Sequence, residues 1–191
     1  MRRGLFITLE GPDGSGKSTQ IQYIDQFFQE RGIKTVFTRE PGGTPIGEKL
    51  REIILDRKNS EMCDMAEALL YAASRAQHVE EKIKPALLAG DVVICDRFID
   101  SSIAYRGYGR NLGDAVRIIN ELAVAGCMPD ITFLMELSPE VGKSRIKAEV
   151  QIGWSRNRLS FITEYMRAIG RLQDFIRNDL WKLMRPEIKL Q

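Results

Sequence analysis

Apolar positions along this chain fall into short unbroken runs, separated by longer stretches with helical period. Leu5–Leu9, Thr35–Thr38, Val92–Cys95 and Ile131–Met135 are runs of the kind a strand shows when both of its faces are buried. Between them the pattern predicts helices over Ser18–Arg31, closed by Gly32; Ile46–Leu55; Met65–Ala89, closed by Gly90; Asp114–Ala125, closed by Gly126; and Pro139–Lys147, with Ser138 as N-cap. Strand and helix alternating at this spacing predict an α/β fold of three layers, a doubly wound parallel sheet with right-handed crossovers. Ligands of such folds bind at the carboxyl ends of the strands. No repeat, low-complexity tract or Pro/Gly/Ser linker interrupts the pattern, so residues 1–191 read as one domain.

Composition narrows the classes. A 191-residue chain with 43% hydrophobic residues is long enough for one well-cored domain and short for two. Lys+Arg 28 against Asp+Glu 26 leaves +2, which gives no general attraction to nucleic acid or to an anionic membrane. Cys63, Cys95 and Cys127 form no C-x-x-C pair, so neither a disulfide framework nor a zinc site is expected and a reducing cytoplasm fits. The start MRRGLFITLEG has too short an apolar stretch for a signal peptide, and nowhere do 18 apolar residues run together. A soluble, cytoplasmic protein is the expectation.

The chemistry starts at EGPDGSGKST, Glu10–Thr19, directly after the first apolar run. Gly11, Gly16, Lys17 and Ser18 satisfy G-x-x-x-x-G-K-[ST] between a strand and a helix, the context that motif needs. Glycines let backbone N–H groups turn toward phosphate oxygens, and the helix N-terminus adds partial positive charge. Gly11, Pro12, Asp13, Gly14, Ser15, Gly16, Lys17, Ser18 and Thr19 are thus the expected ATP-binding residues, with Lys17 on the β/γ-phosphates and Ser18 on magnesium. TREPGGT (Thr38–Thr44), LLYAASRAQHV (Leu69–Val79) and CDRFIDSSIAYRG (Cys95–Gly107) all fall where the carboxyl edge can gather them. They bring Arg39, Arg75 and Arg97 toward one crevice, as expected where a second phosphate must be held.

With these segments in this order, the sequence from about Leu5 to Ile146 resembles the thymidylate kinases, P-loop nucleoside-monophosphate kinases that move the γ-phosphate of ATP to dTMP. The resemblance implies magnesium as cofactor, ATP and dTMP as partners and a homodimer formed through the long helix around Met65–Ala89 and its neighbours. It implies catalytic roles for Lys17, Arg97 and Asp13, the last also meeting the deoxyribose 3′-OH. By the same resemblance Arg39, Arg75 and Arg97 hold the dTMP phosphate and the transferring group, Tyr71 stacks on thymine, Ser102, Tyr105 and Gln77 line the base and sugar pocket, and Asp96 supports the metal directly or through water. Arg106 departs from the family, in which a glutamine usually stands, and adds a cation near the base.

Each assignment has a plainer competitor. Arg75 and Gln77 also read as solvated helix-face residues, Tyr71 as core beside Leu69 and Leu70, and Asp96–Arg97 as a structural ion pair. His78, the single histidine, reads as packed or capping, and Cys95 as an inert buried strand residue.

From about Gln151 the chain leaves the family pattern. The expected lid segment D-R-x-E, the F-H-x-x-V-x-x-G-Y helix and the final strand are replaced by QIGWSRNRLSFITEYMRAIGRLQDFIRNDLWKLMRPEIKLQ. Permitted codons for this stretch, read from one nucleotide earlier, can spell DRMEQEQAEFHNGVYEGY and continue without a stop. Residues 1–150 are therefore read as the family-like core and 151–191 as a frame-shifted lid and C-terminal region lacking the usual last strand, with a divergent but selected C-terminus as the competing reading. Phe161, Tyr165, Ile169, Leu172, Ile176 and Leu180 still space as one helical face. Activity weakened by loss of a lid arginine is the corresponding expectation, and the alternative function is a nucleotide-binding remnant without turnover.

Overall fold

The structure is a computed structural model, and it describes residues 3–135. Its elements run β1 (Phe6–Glu10), α1 (Lys17–Gln29), β2 (Thr35–Arg39), α2 (Pro45–Leu55), α3 (Asp64–His78), α4 (Lys84–Leu88), β3 (Val92–Asp96), α5 (Ile99–Ser102), α6 (Asp114–Val124) and β4 (Ile131–Leu134). π-helical segments join α3 to α4 over Val79–Ile83 and follow α5 over Ile103–Tyr108.

All four described strands pair in parallel, in the order β2-β3-β1-β4. Side chains alternate across the sheet, so the apolar runs feed two cores. Phe6, Val93 and Cys95 meet Val79, Ile83, Leu87, Phe98 and Val124 on one face, whereas Ile7, Leu9, Val92 and Ile94 meet Ile21, Ile24 and Phe28 of α1 on the other. This is the three-layer arrangement expected from the pattern.

Strand order fixes where a ligand sits. From β1 the chain crosses to β2 on the far side of β3; from β3 it crosses to β4 on the far side of β1. The hydrogen-bonded neighbours β1 and β3 therefore send their continuations in opposite directions and open a crevice at their carboxyl ends. The glycine-rich loop leaves β1 at that point, and Arg97 leaves β3.

Two local features differ from expectation. The single helix predicted over Met65–Ala89 is three pieces, because Pro85 has no N–H to give the carbonyl four residues earlier and its ring crowds that carbonyl, and the ladder widens into a π-turn just before it. The stretch after Phe98, read only as a site segment, is helical from Ile99 through Tyr108. Its Ser and Gly content masks any apolar period. The predicted helix Pro139–Lys147, the lost last strand and the altered region 151–191 lie outside the described residues.

Candidate active site

The loop between β1 and α1 turns on glycines at positive φ: Gly11 at 143°, Gly14 at 77° and Gly16 at 90°. At Gly11 a Cβ would also stand 2.7 Å from the Met135 carbonyl oxygen, so both conformation and space require glycine. Lys17 opens α1 and its ammonium folds back to donate to the carbonyls of Gly11 (3.0 Å) and Pro12 (3.1 Å). Burial, then the Arg97 guanidinium, push the Lys17 pKa below the ordinary lysine value, against the pull of Asp96, Asp13 and Glu10. Ser18 and Thr19 are exposed in the first turn of α1.

Across the crevice, Arg97 is the first residue after β3 and sits at φ 67°, an uncommon conformation for a residue with a side chain. Its amide donates to the Leu9 carbonyl (2.9 Å), tying it to β1. The guanidinium donates to Asp13 Oδ1 (2.6 Å) and Ser101 Oγ (3.2 Å) and lies 5.8 Å from the Tyr105 ring centroid. Burial raises the Asp13 pKa, but Arg97 outweighs it, aided by Lys17, and holds the carboxyl below its usual value. Burial likewise opposes charge on Arg97, and Tyr105, Asp13 and Glu10 overcome it, leaving its pKa above the usual value. Next to this pair, Asp96 Oδ1 is buried without a hydrogen-bond partner among the described residues.

Sequence reasoning missed the residue that holds this segment. Glu10, at the end of β1, accepts from the amides of Phe98 (2.8 Å) and Ser101 (3.3 Å) and from Ser101 Oγ (2.5 Å). Burial raises its carboxyl pKa, with the Ser101 hydroxyl pulling the other way. An acidic residue ending an otherwise apolar strand immediately before the loop was the available signal.

Arg39, ending β2, makes a bidentate pair with Glu48 of α2, both bonds 3.0 Å, and Glu48 also accepts from the Gly43 amide (2.8 Å). That backbone bond, more than Arg39, lowers the Glu48 pKa despite the opposing effect of burial. Arg51, another residue the sequence reading did not single out, donates to the Pro41 carbonyl (2.9 Å). Burial depresses its pKa, as do Arg39 and Arg97, so these three guanidiniums share one field.

The residues expected at the base and sugar divide. Arg75 is 1% exposed: its guanidinium donates to Glu40 (2.7 Å), Ser102 Oγ (3.1 Å), Asn120 Oδ1 and the Phe98 carbonyl (2.9 Å). As it stands, Arg75 reaches a phosphate only by exchanging a protein partner. It is not the solvated helix-face residue of the competing reading. Ser102 is buried against it, and Tyr105 lies beside Arg97. Tyr71, half-buried on α3, is covered by the Arg106 guanidinium with its carbon 3.3 Å from the ring centroid. Gln77 is not brought to this group, since its amide donates to Glu81 (2.7 Å) on an exposed surface. His78 is fully buried between Thr38 Oγ1 (2.7 Å) and Glu40 Oε1 (3.0 Å), the packed role expected of it. Burial pushes the Cys95 thiol well up, as expected for an inert strand residue.

A phosphate-binding loop and an arginine-rich wall, meeting at the switch point of a parallel sheet, define a P-loop phosphotransferase of the nucleoside-monophosphate kinase type. The comparisons narrow this class. The family model described as thymidylate kinase matches residues 9–179. The thymidylate kinase of Clostridium novyi (strain NT) is 53% identical over 147 residues, spanning 76% of this chain and 72% of that protein. That of Halothermothrix orenii is 57% identical over 146 residues, 76% of this chain and 70% of the relative. A crystal structure of thymidylate kinase from Ehrlichia chaffeensis superposes with a TM-score of 0.67 at 32% identity, covering 95% of this chain and 99% of that one. The chain belongs to the thymidylate kinase family.

Proposed function

We propose that the chain transfers the γ-phosphoryl group of ATP to dTMP, giving ADP and dTDP, with Mg²⁺ as cofactor. The observation that carries this reading is the Arg97–Asp13 pair, which joins the acceptor side to the phosphate loop at 2.6 Å. Lys17, exchanging the Gly11 and Pro12 carbonyls for phosphate oxygens, holds the donor. Arg39, Arg51 and Arg97 surround the acceptor phosphate, and Arg75 braces the wall behind them through Ser102 and Phe98. As the P–O bond to ADP breaks and the bond to the dTMP phosphate oxygen forms, these charges neutralise the shared oxygens. Asp13 takes the sugar hydroxyl, Tyr71 and Tyr105 the base and sugar.

The residues fit a magnesium ion, since the orphaned Asp96 Oδ1 is a hard oxygen donor beside the loop and Ser18 offers a hydroxyl at the helix start. Ser18 and Asp96 would hold the ion, which supplies charge neutralisation of the phosphates when bound.

We also infer a homodimer. The adjoining helices α2, α3 and α6 leave Ile53, Leu69, Ile118 and Leu122 exposed, the sort of apolar surface a second copy covers. A cytoplasmic location accords with this reading; no helix among the described residues is long and apolar enough to cross a membrane.

The test is ADP formation by the purified chain with ATP, Mg²⁺ and dTMP, beside dUMP and dCMP. dTMP-preferring turnover that EDTA abolishes is expected; a folded chain that binds no nucleotide would refute the reading.

A further inference from the structure

We propose that Glu10 and Ser101 are positioning residues for phosphoryl transfer: the Glu10 carboxylate takes the Ser101 hydroxyl proton, and Ser101 thereby turns a lone pair onto Arg97 and holds its guanidinium in the crevice. The inference rests on the transfer reading above and assigns roles to two residues outside it.

Glu10 ends β1 and is 3% exposed. An ionised carboxylate offers acceptor sites alone, and here they are met by the amides of Phe98 (2.8 Å) and Ser101 (3.3 Å) and by the Ser101 hydroxyl (2.5 Å). A serine hydroxyl has one hydrogen to give. With that hydrogen on Glu10 Oε2, Ser101 Oγ faces Arg97 as an acceptor, and Arg97 Nη1 donates to it at 3.2 Å. A guanidinium cannot accept, so the two charges at its ends fix the direction of the whole chain, from Arg97 through Ser101 to Glu10.

The other terminal nitrogen, Arg97 Nη2, donates to Asp13 Oδ1 at 2.6 Å. Two carboxylates, one on either side of Gly11 and Pro12, thus hold one guanidinium, but they hold it differently. The Asp13 side chain is 59% exposed, and in the transfer reading it turns to the sugar hydroxyl. Glu10 is fixed by amides of the segment that carries Arg97 and cannot follow. With Asp13 engaged by the acceptor, the Ser101 contact is what keeps the guanidinium from moving with it. The backbone is tied in the same way: the Arg97 amide donates to the Leu9 carbonyl at 2.9 Å, and the next amide, of Phe98, donates to Glu10. The φ of 67° at Arg97 persists because both sides of the residue are held to β1. A flexible cation accelerates transfer only where its fork already stands at the developing charge, which is what this chain of contacts provides.

Steady-state kinetics of the full chain, with dTMP and ATP each varied, reads the role. Ser101→Ala keeps the amide contacts and should lower kcat about 10- to 100-fold, the size expected for one hydrogen bond to a charged group, with both KM values within about 3-fold of wild type. Ser101→Thr restores the hydroxyl and should bring kcat back to within about 3-fold of wild type. Glu10→Gln should behave as Ser101→Ala does, because a carboxamide cannot take the amides and the hydroxyl proton together. Thermal melting shows which variants fold; where Glu10→Gln does not, the Ser101 pair decides. Introducing Ser101→Ala into Arg97→Met separates positioning from packing: the further loss should be less than about 3-fold, since the group that Ser101 acts through is gone. A folded Ser101→Ala with wild-type kcat, an equal loss with and without Arg97, or a folded Ser101→Thr that recovers nothing overturns the proposal alone. A wild type that binds both nucleotides yet releases no ADP overturns it together with the transfer reading.

Discussion

Lys17 and Arg97 are two cations in one crevice with opposite displacements, and the difference has a pH signature. Because burial and Arg97 lower the Lys17 pKa, its proton leaves on the alkaline side earlier than from an ordinary lysine. The neutral amine cannot pair with phosphate, so ATP affinity should begin to fall at a pH below the usual lysine range, read by titrating ATP at stepped pH. Arg97 stays charged throughout, and Asp13 stays ionised until the pH drops below the ordinary carboxylate range. The Arg97–Asp13 contribution to stability is therefore present above the unfolded Asp pKa and lost as pH falls through the lowered folded value. Arg97→Met should lower kcat/KM for dTMP about 10³-fold, the order expected for a cation on the transferring group, while ATP affinity changes little. Steady-state kinetics with each substrate varied separates the two effects. Lys17, Ser18 and the glycines could be named from spacing, because a motif between strand and helix fixes its own geometry. Glu10 showed itself only as an acidic end to an apolar strand, and Glu40 and Arg51 not at all, since the partners of these residues lie up to 91 positions away.

At the scale of elements, the carboxylate of Glu40 just after β2 and the guanidinium of Arg75 on α3 tie four pieces together: the β2 loop, α3, the start of α5 and α6. Arg75→Met would leave Glu40 buried without that counter-charge, and such a broken pair costs about 3–5 kcal/mol. Gln77→Ala, two residues on, removes only a surface contact with Glu81 and should change stability by less than about 0.5 kcal/mol. Urea unfolding of both variants checks the contrast, and equal midpoints would refute it. Gly43→Ala belongs to the same scale: at φ 85° its Cβ would meet His78 Nε2 and Thr38 Oγ1 at 2.7 Å, so strain and the loss of that buried contact should lower the midpoint as well. The strands were readable because burial on both faces writes continuous apolar runs, and α1 and α6 because their ends carry glycine. The π-turns were not, because the register change at Val79–Ile83 answers Pro85 and tertiary packing, while apolar periodicity continues through it.

For the whole molecule, the parallel sheet was readable from alternation, but its order was not, since alternation alone does not say on which side of β1 each strand lands. The altered region from about Gln151 makes a prediction at this scale that needs no structure. The coding DNA should carry codons compatible with the alternative frame, and incompatible codons would reject the shift. Sedimentation of the intact chain should show a dimer, and a charge placed at Leu122, as in Leu122→Glu, should shift it toward monomer. The strand order also has a consequence for tolerance to change. The phosphate loop and Arg97 depart from two strands locked in one ladder, with Leu9 opposite Asp96. Their separation is thus set by a hydrogen-bond register that can slip only in whole residues, about 3.3 Å at a time, and not drift by tenths. The periphery of the molecule can be rewritten by mutation while the spacing between the loop and Arg97 is kept, so sequence divergence in this fold should collect outside the β1–β3 seam.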